Sequence, residues 1–469
     1  MMKNIYKKIL CIFALGLVLA SCDDYLDDAP KGSKIPTTLA DYEAFLRDEY
    51  ANQSVNVAQA LNLMNDKFID IATLAAERLT KANYMWDETA DRIQLNQEDE
   101  STYYMQYKGI STFNLIIENA LITTEATEEQ KRAVWAQAKI LRAMSYYNLV
   151  NFYADTYLAS TAGTKLSVPL ITSADINAPS KQVTIQELYD FILNDVKEAL
   201  PYLPKVSQTA LHPNLGAGYA FYSRVYLQMS NYIEALKYAD LALAENNKLY
   251  DWNAYYIANK AVIDIPNDYT NTPSPMGYDY VENYTFRHGE RTYLSTEYSI
   301  PVERAQRFES GDVRFRSRWE LRTVGADTYY RRTLSGMFNY GGITTVEIYL
   351  IKAECLARAN QISQALDILN TVRKTRIQPS SYQDIVTTDK TTALNAIFRT
   401  KNNELILTII PFADARRLNA EGTYKVSFSK VNAGTTYTLA STSHLWTMPF
   451  PQGATRNPGN GKITQNVDK

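Results

Sequence analysis

Apolar residues recur along this chain in blocks at helical spacing, and the clearest block runs from Thr344 to Arg376. Val346, Leu350, Ala353 and Ala357 fall four, three and four apart, so they share one face of a helix. The polar pair Asn360-Gln361 interrupts the stripe, and Ile362, Ala365, Leu366, Leu369 and Val372 begin a second one. Two amphipathic helices joined by so short a link fold back as an antiparallel hairpin. The small-residue seam of the second helix returns upstream as Ala235, Ala239 and Ala242. Neither hairpin buries its apolar face alone, so the pattern predicts hairpins stacked on one another.

Other helices announce their ends. Thr38 with Asp41 opens a first helix, Thr127 to Gln130 and Thr184 to Glu187 read as capping boxes, and Pro201 stops the helix that Thr184 begins. Pro213 precedes the helix that leads into Ser230–Leu243, and Thr391–Leu407 reads as a helix broken by Pro411, with a short turn of helix in PFADARRL. The periodicity lapses in three places. Residues 79–99 read as a loop, 246–343 as a long insert of extended chain and short strands, and the part after Gly422 as an exposed hairpin followed by Pro/Gly-rich coil.

The N-terminus changes the picture of where the chain works. Lys3, Lys7 and Lys8 precede an apolar run from Ile9 to Ala20, too short to span a bilayer, which needs about 20 apolar residues. Residues 1–21 therefore read as a signal peptide. Leu19-Ala20-Ser21-Cys22 resembles the lipobox of bacterial lipoproteins, which makes Cys22 the expected lipidation site and 22–37 an acidic, Pro/Gly-containing tether. Cys11 leaves with the signal, so Cys355, on the apolar helix, is expected to be inert core. The net charge of −3 becomes more negative once three lysines depart, which gives no electrostatic basis for nucleic-acid binding. The body, 38–469, is expected to be mainly α, with a helical-repeat core over about 38–245 and 344–420 and a loop-rich insert over about 246–343.

Taken together and in this order, several pieces resemble the SusD/RagB family of surface nutrient-binding lipoproteins. They are Cys22 with DDYLDDAP, AQAKILRAMSYYNLVNFYAD, GYAFYSRVYLQMSNYIEALKYAD and TVEIYLIKAECLARANQISQALDILNTVR, with DVRFRSRW, FADARRL and LWTMPFPQ. The resemblance implies about four tetratricopeptide-like helix pairs packed against an irregular, loop-rich second half with a few short strands. It also implies a surface-exposed, lipid-anchored outer-membrane protein that binds nutrient oligomers, usually glycans, for a SusC-like TonB-dependent transporter. A peptide ligand, a tetratricopeptide-type assembly scaffold and a glycoside hydrolase are the alternatives.

Chemistry-bearing motifs are sparse. His212, His288 and His444 are isolated, no phosphate loop or nucleophile elbow is present, and neither a metal nor another cofactor is expected. Binding has more support, since the chain holds 35 Tyr against 15 Phe. A tyrosine ring can stack on the C–H face of a sugar while its hydroxyl reaches water or a polar partner. The candidates sit where periodicity fails: Tyr84, Trp86 and Asp87 in the first loop, and Tyr278, Tyr280, Tyr284, Arg287 and Trp319 in the insert. From Arg287 to Arg332 there are ten arginines and no lysine among seven acidic residues. That stretch is either an ion-paired framework or a surface for an acidic ligand.

Overall fold

Side chains written into the sequence start three of the helices. Thr38 with Asp41, Thr127 with Gln130 and Thr184 with Glu187 each form both halves of a capping box. The computed structural model describes residues 36–48, 56–96, 101–265, 272–287, 298–456 and 461–468, so Cys22, His288, Arg291 and the signal segment lie outside the described residues.

In chain order the first half contains α1 (Leu39–Leu46), α2 (Ala58–Met64), α3 (Arg78–Met85), α4 (Ser101–Asn119), α5 (Glu128–Tyr153), α6 (Ile185–Ala199), α7 (Leu215–Gln228) and α8 (Tyr232–Glu245). The insert adds α9 (Trp252–Ile263) and α10 (Val313–Arg318), and the second half adds α11 (Thr345–Arg358), α12 (Ile362–Lys374), α13 (Lys390–Glu404) and α14 (Ile410–Glu421). Neighbouring helices pack as α4 on α5, α5 on α6, α7 on α8 and α11 on α12, while α8 and α13 both lie against α11. The fold is thus mainly α, built from tetratricopeptide-like hairpins with a few short strands. Ala235, Ala239 and Ala242 are fully buried, and α8 comes close enough to α7 for the Ser223 hydroxyl to donate to the Ala235 carbonyl at 2.9 Å. A larger side chain at any of the three would wedge the pair apart.

Three local expectations change. Pro411 sits in the first turn of α14, where no intrahelical N–H is needed, so the short helical turn expected after it is a full helix over Ile410–Glu421. Residues 79–99 carry all of α3 but its first residue and a further helical turn over Arg92–Leu95, both too short for periodicity to show in the sequence. The insert opens with α9, whose first turn is capped by the Asp251 side chain accepting from Ala254 N.

Strands are short and two-stranded for the most part. β1 (Leu166–Leu170) pairs with β2 (Lys181–Thr184), and β3 (Asn283–Thr285) pairs with β7 (Ile343–Thr344) at the threshold of α11. β4 (Ile300–Pro301), β6 (Asp327–Arg332) and β5 (Trp319–Val324) form an antiparallel sheet in that spatial order. The expected C-terminal hairpin is β8 (Phe428–Asn432) with β9 (Thr435–Leu439), turned at Ala433-Gly434, both with positive φ.

Buried arginines fasten the insert to the hairpins. Arg376, just past α12, donates to Glu282 at 2.7 Å and to Glu404 at 3.1 Å, and Glu404 also meets Arg314, which is paired with Asp312. All five side chains are at most 5% exposed. Close backbone approach finishes the joint, since a Cβ on Gly342 would lie 2.0 Å from the Thr285 carbonyl oxygen. Cys355 is buried in α11, where desolvation pushes its thiol up to about 12.

Candidate ligand-binding site

The stretch 64–95, the insert sheet and the β8–β9 hairpin meet on one face, and the packing begins with backbone geometry. Trp86 ends α3 in the left-handed region at φ 54°, an uncommon conformation for a bulky residue. That turn buries the indole, whose Nε1 donates to the Leu63 carbonyl at 3.1 Å. Tyr84 is buried beside Leu74 and Met85, and its hydroxyl accepts from Ile69 N at 3.2 Å. From the C-terminal hairpin, Lys430 brings its Nζ to 3.9 Å above the Tyr84 ring and 4.2 Å above the Trp86 ring, while donating to the Tyr84 carbonyl. Burial pulls this ammonium down to about 7, with Glu303 opposing. Arg92 is also buried and donates to the carbonyls of His444, Leu445 and Thr447, which ties the first segment to the C-terminal coil.

Two features of this face are open to ligand. One is a cleft of about 1130 Å³ lined by Trp86, Asp87, Arg78, Lys81, Asp91 and Tyr437, among others. Asp87 is exposed there and accepts from Thr89 N and its hydroxyl at 2.9 and 2.6 Å. The other is an aromatic ledge. Phe68 and Tyr329 stack at 4.2 Å with planes 7° apart, and Lys67 lies 4.1 Å over the Tyr298 ring. The three rings are half-buried. The ledge is held by Phe68 N donating to Ser299 O at 2.7 Å and by the pairing of Pro301 with Tyr329 across β4 and β6.

The other sequence-derived candidates fall elsewhere. Trp319 is fully buried between Phe308 and Phe315, and its Nε1 donates to the Tyr298 carbonyl at 2.9 Å, so it supports the ledge from beneath. Tyr280 is buried with its hydroxyl 3.2 Å from Trp252 Nε1. Tyr284 is buried against Gly216, where a Cβ would come within 3.1 Å of its ring, and its hydroxyl donates to the Asn246 carbonyl. Tyr278 is half-buried with its ring 4.4 Å from Phe286. Arg287 is fully buried, and desolvation pulls its guanidinium down to about 10. The structure thus brings Tyr84, Trp86 and Asp87 together, sets Trp319 behind the ledge, and uses Tyr280, Tyr284 and Arg287 as interior packing.

Sequence reasoning missed Phe68, Tyr298 and Tyr329. A signal existed for Tyr329, because Gly325 separates two strand-like runs and is the turn of a β-hairpin. Within the arginine-rich stretch Arg304 and Arg307 pair with Asp66, Arg314 with Asp312 and Glu404, Arg316 with Asp264, and Arg322 and Arg331 with Glu320, the pattern of an ion-paired framework. Among the described residues no group of three or more His, Cys, Asp or Glu is arranged to hold a metal ion, and no helix is long and apolar enough to cross a membrane.

A SusD-like family model, described as starch-binding and associating with the outer membrane, matches residues 24–227. SusD-like protein P2 of Formosa agariphila is 26% identical over 331 residues, which are 65% of this chain and 62% of that protein. SusD-like protein P25 of the same bacterium is 26% identical over 148 residues, 29% of this chain and 28% of that one. The chain therefore matches less than two thirds of the length of either curated relative. Among solved structures, a SusD superfamily protein from Bacteroides thetaiotaomicron shares the fold at 17% identity with a TM-score of 0.66, covering 92% of this chain and all of that one. A protein from Bacteroides vulgatus described as a putative sugar binding protein aligns at 18% identity with a TM-score of 0.68, covering 93% of this chain and 100% of the other. With the stacked helical hairpins and the ordered motifs, these matches make the chain similar to SusD-like proteins, in sequence over residues 24–227 and in fold over most of its length.

Proposed function

We propose that this chain is a cell-surface lipoprotein of the outer membrane that holds a nutrient oligosaccharide on the Phe68–Tyr298–Tyr329 ledge and passes it to a SusC-like TonB-dependent transporter. The observation that carries this reading is the nearly parallel, half-buried pair Phe68 and Tyr329, with Tyr298 and Lys67 as neighbours. Flat rings partly open to water suit the C–H faces of sugars, and the adjoining cleft supplies Asp87, Asp91, Arg78 and Lys81 as hydrogen-bonding partners for hydroxyls. The starch-binding description of the matching family model and the sugar-binding description of one structural neighbour support the same ligand class. Such a site binds without making or breaking a bond. Residues 22–37 serve as the tether, with Cys22 acylated.

Two experiments test the reading. A glycan array on the soluble body should identify a ligand, and calorimetry with that ligand should show affinity about tenfold weaker in a Phe68→Ala/Tyr329→Ala variant, a loss of about 1.4 kcal/mol. Unchanged affinity in that variant would remove the ledge, and binding of peptides alone would remove the oligosaccharide. In cells, Cys22→Ser should move the protein out of the membrane fraction, because no described helix can anchor it. Retention of the serine variant at the membrane would refute the lipid tether.

A further inference from the structure

The β8–β9 hairpin is fixed at its base and lightly held beyond it. Val426 N donates to Asn419 Oδ1 at 2.6 Å where the chain approaches β8, and Trp446 Nε1 donates to the Ala440 carbonyl at 2.8 Å where it leaves β9. Leu439 is fully buried, and the Phe428 ring lies 6.3 Å from Trp86 and 6.4 Å from Trp446. From Lys430 outward the ladder alternates: Val431 and Thr436 are exposed, while Lys430 and its cross-strand partner Tyr437 are half-buried against the body. Among the described residues, the one hydrogen bond from either strand to the rest of the chain runs from Lys430 Nζ to the Tyr84 carbonyl. Few buried contacts and a single polar tie mark a segment that opens locally, ahead of global unfolding.

The distal half of the hairpin covers the two rings that stand between the ledge and the cleft. Ile69, next to Phe68 of the ledge, donates to the Tyr84 hydroxyl, and Trp86 lines the cleft together with Asn432 and Tyr437 of the hairpin. Lys430 Nζ stands over both ring faces, where a flat ligand would otherwise stack. Glu303, on the helical turn Val302–Ala305, is the carboxylate whose charge reaches the amine, without pairing with it. Arg307 lies 4.8 Å over the neighbouring Phe428 ring, and Glu303 and Asp327 both act on the Tyr84 hydroxyl. Arg78, Lys81, Asp87 and Asp91 line the cleft beyond Trp86.

We propose that Lys430–Tyr437 is a lid, latched by the Lys430 side chain, that lifts from its base to bare the faces of Tyr84 and Trp86 and so joins the ledge to the cleft. The longer groove deepens the oligosaccharide reading and rests on it for its ligand, whereas the motion of the lid does not. Latching is coupled to a proton. Docked, the Lys430 amine is pulled down to about 7 because burial disfavours its charge, while a lysine in water titrates near 10.5. Above neutrality, lifting the lid therefore takes up a proton, so the latch is weakest at and below neutral pH and tightens as pH rises.

The test uses the protein without sugar, so that failure of the oligosaccharide reading and failure of the lid are told apart. Hydrogen exchange read by mass spectrometry should show 428–439 opening more readily than α11 and α12. Corrected for intrinsic exchange, protection of the hairpin should rise about tenfold per pH unit between about pH 7.5 and 9. Hydroxyl-radical labelling of Trp86 and Tyr84 should fall over the same range. Lys430→Met keeps the length of the side chain without the titrating group, and it should flatten both curves. The pH series on the unaltered chain decides the matter even should that variant fail to fold. Hairpin protection that is flat with pH in the unaltered chain or equal to that of α11 and α12 at every pH would overturn the proposal. So would ring labelling that does not track the hairpin, or a pH dependence that survives in Lys430→Met.

Discussion

Replacing Arg376 with alanine is expected to destabilise the protein by about 3–5 kcal/mol, the usual cost of removing one member of a buried ion network. The guanidinium touches Glu282, Glu404 and the Tyr250 carbonyl at once, and Glu282 is fully buried. Burial already raises the Glu282 carboxyl above its ordinary value, and the Arg376 charge is what opposes that rise. Without it the carboxylate must take up a proton or leave the interior, and either outcome loosens β3 from the end of α12. Chemical denaturation should show the loss, and limited proteolysis should show new cuts within 246–343. Arg376→Lys should recover only part of the stability, because one ammonium cannot reproduce the fork that reaches both carboxylates. A loss below about 1 kcal/mol for the alanine variant would mean that the network does not fasten the insert.

Trp252→Ala should be of similar size, about 3–5 kcal/mol, through a different mechanism. The indole is 1% exposed, stands edge-on to Tyr250 and Tyr255, and donates to the Tyr280 hydroxyl. Its backbone N–H also donates to the Thr375 carbonyl at 3.1 Å, one residue from Arg376. Truncation leaves a cavity and an unmet Tyr280 hydroxyl together. Trp252→Phe keeps most of the apolar area and should cost less, about 1 kcal/mol for the lost hydrogen bond plus a smaller cavity. Because Trp252 and Arg376 fasten the same joint, the double variant should lose less than the sum of the two single losses, and strict additivity would show that the two act separately.

Much of this joint was readable one element at a time and unreadable as a joint. Helix starts were legible because Thr38, Thr127 and Thr184 act on residues three positions away. The α11–α12 hairpin was legible because its apolar stripe is continuous and its link is short. The candidate face follows another logic. Phe68 meets Tyr329 only because β4 and β6 carry the second ring to the first, across most of the chain. No local pattern records that pairing. Trp86 stands out in the sequence as an aromatic in a polar stretch, yet its left-handed backbone and its burial under Lys430 are set by tertiary contacts. Tyr280 and Tyr284 look the same in sequence as tyrosines that face solvent, and what separates them is the fit of each ring against Trp252 or Gly216. The arginine run leaves an ion-paired framework and an acidic-ligand surface both open in sequence, since Arg304 finds Asp66 and Arg314 finds Glu404 from distant segments.

The buried guanidinium–carboxylate joint has a consequence for how such a chain diversifies. The residues that weld the insert in place, Arg376, Glu282, Glu404 and Arg314, are separate from the rings at Phe68, Tyr298 and Tyr329. Mutations can therefore swap one aromatic or polar side chain for another on the outer face while the weld stays untouched. A lineage carrying this architecture is free to vary that outer face without relearning how to fold.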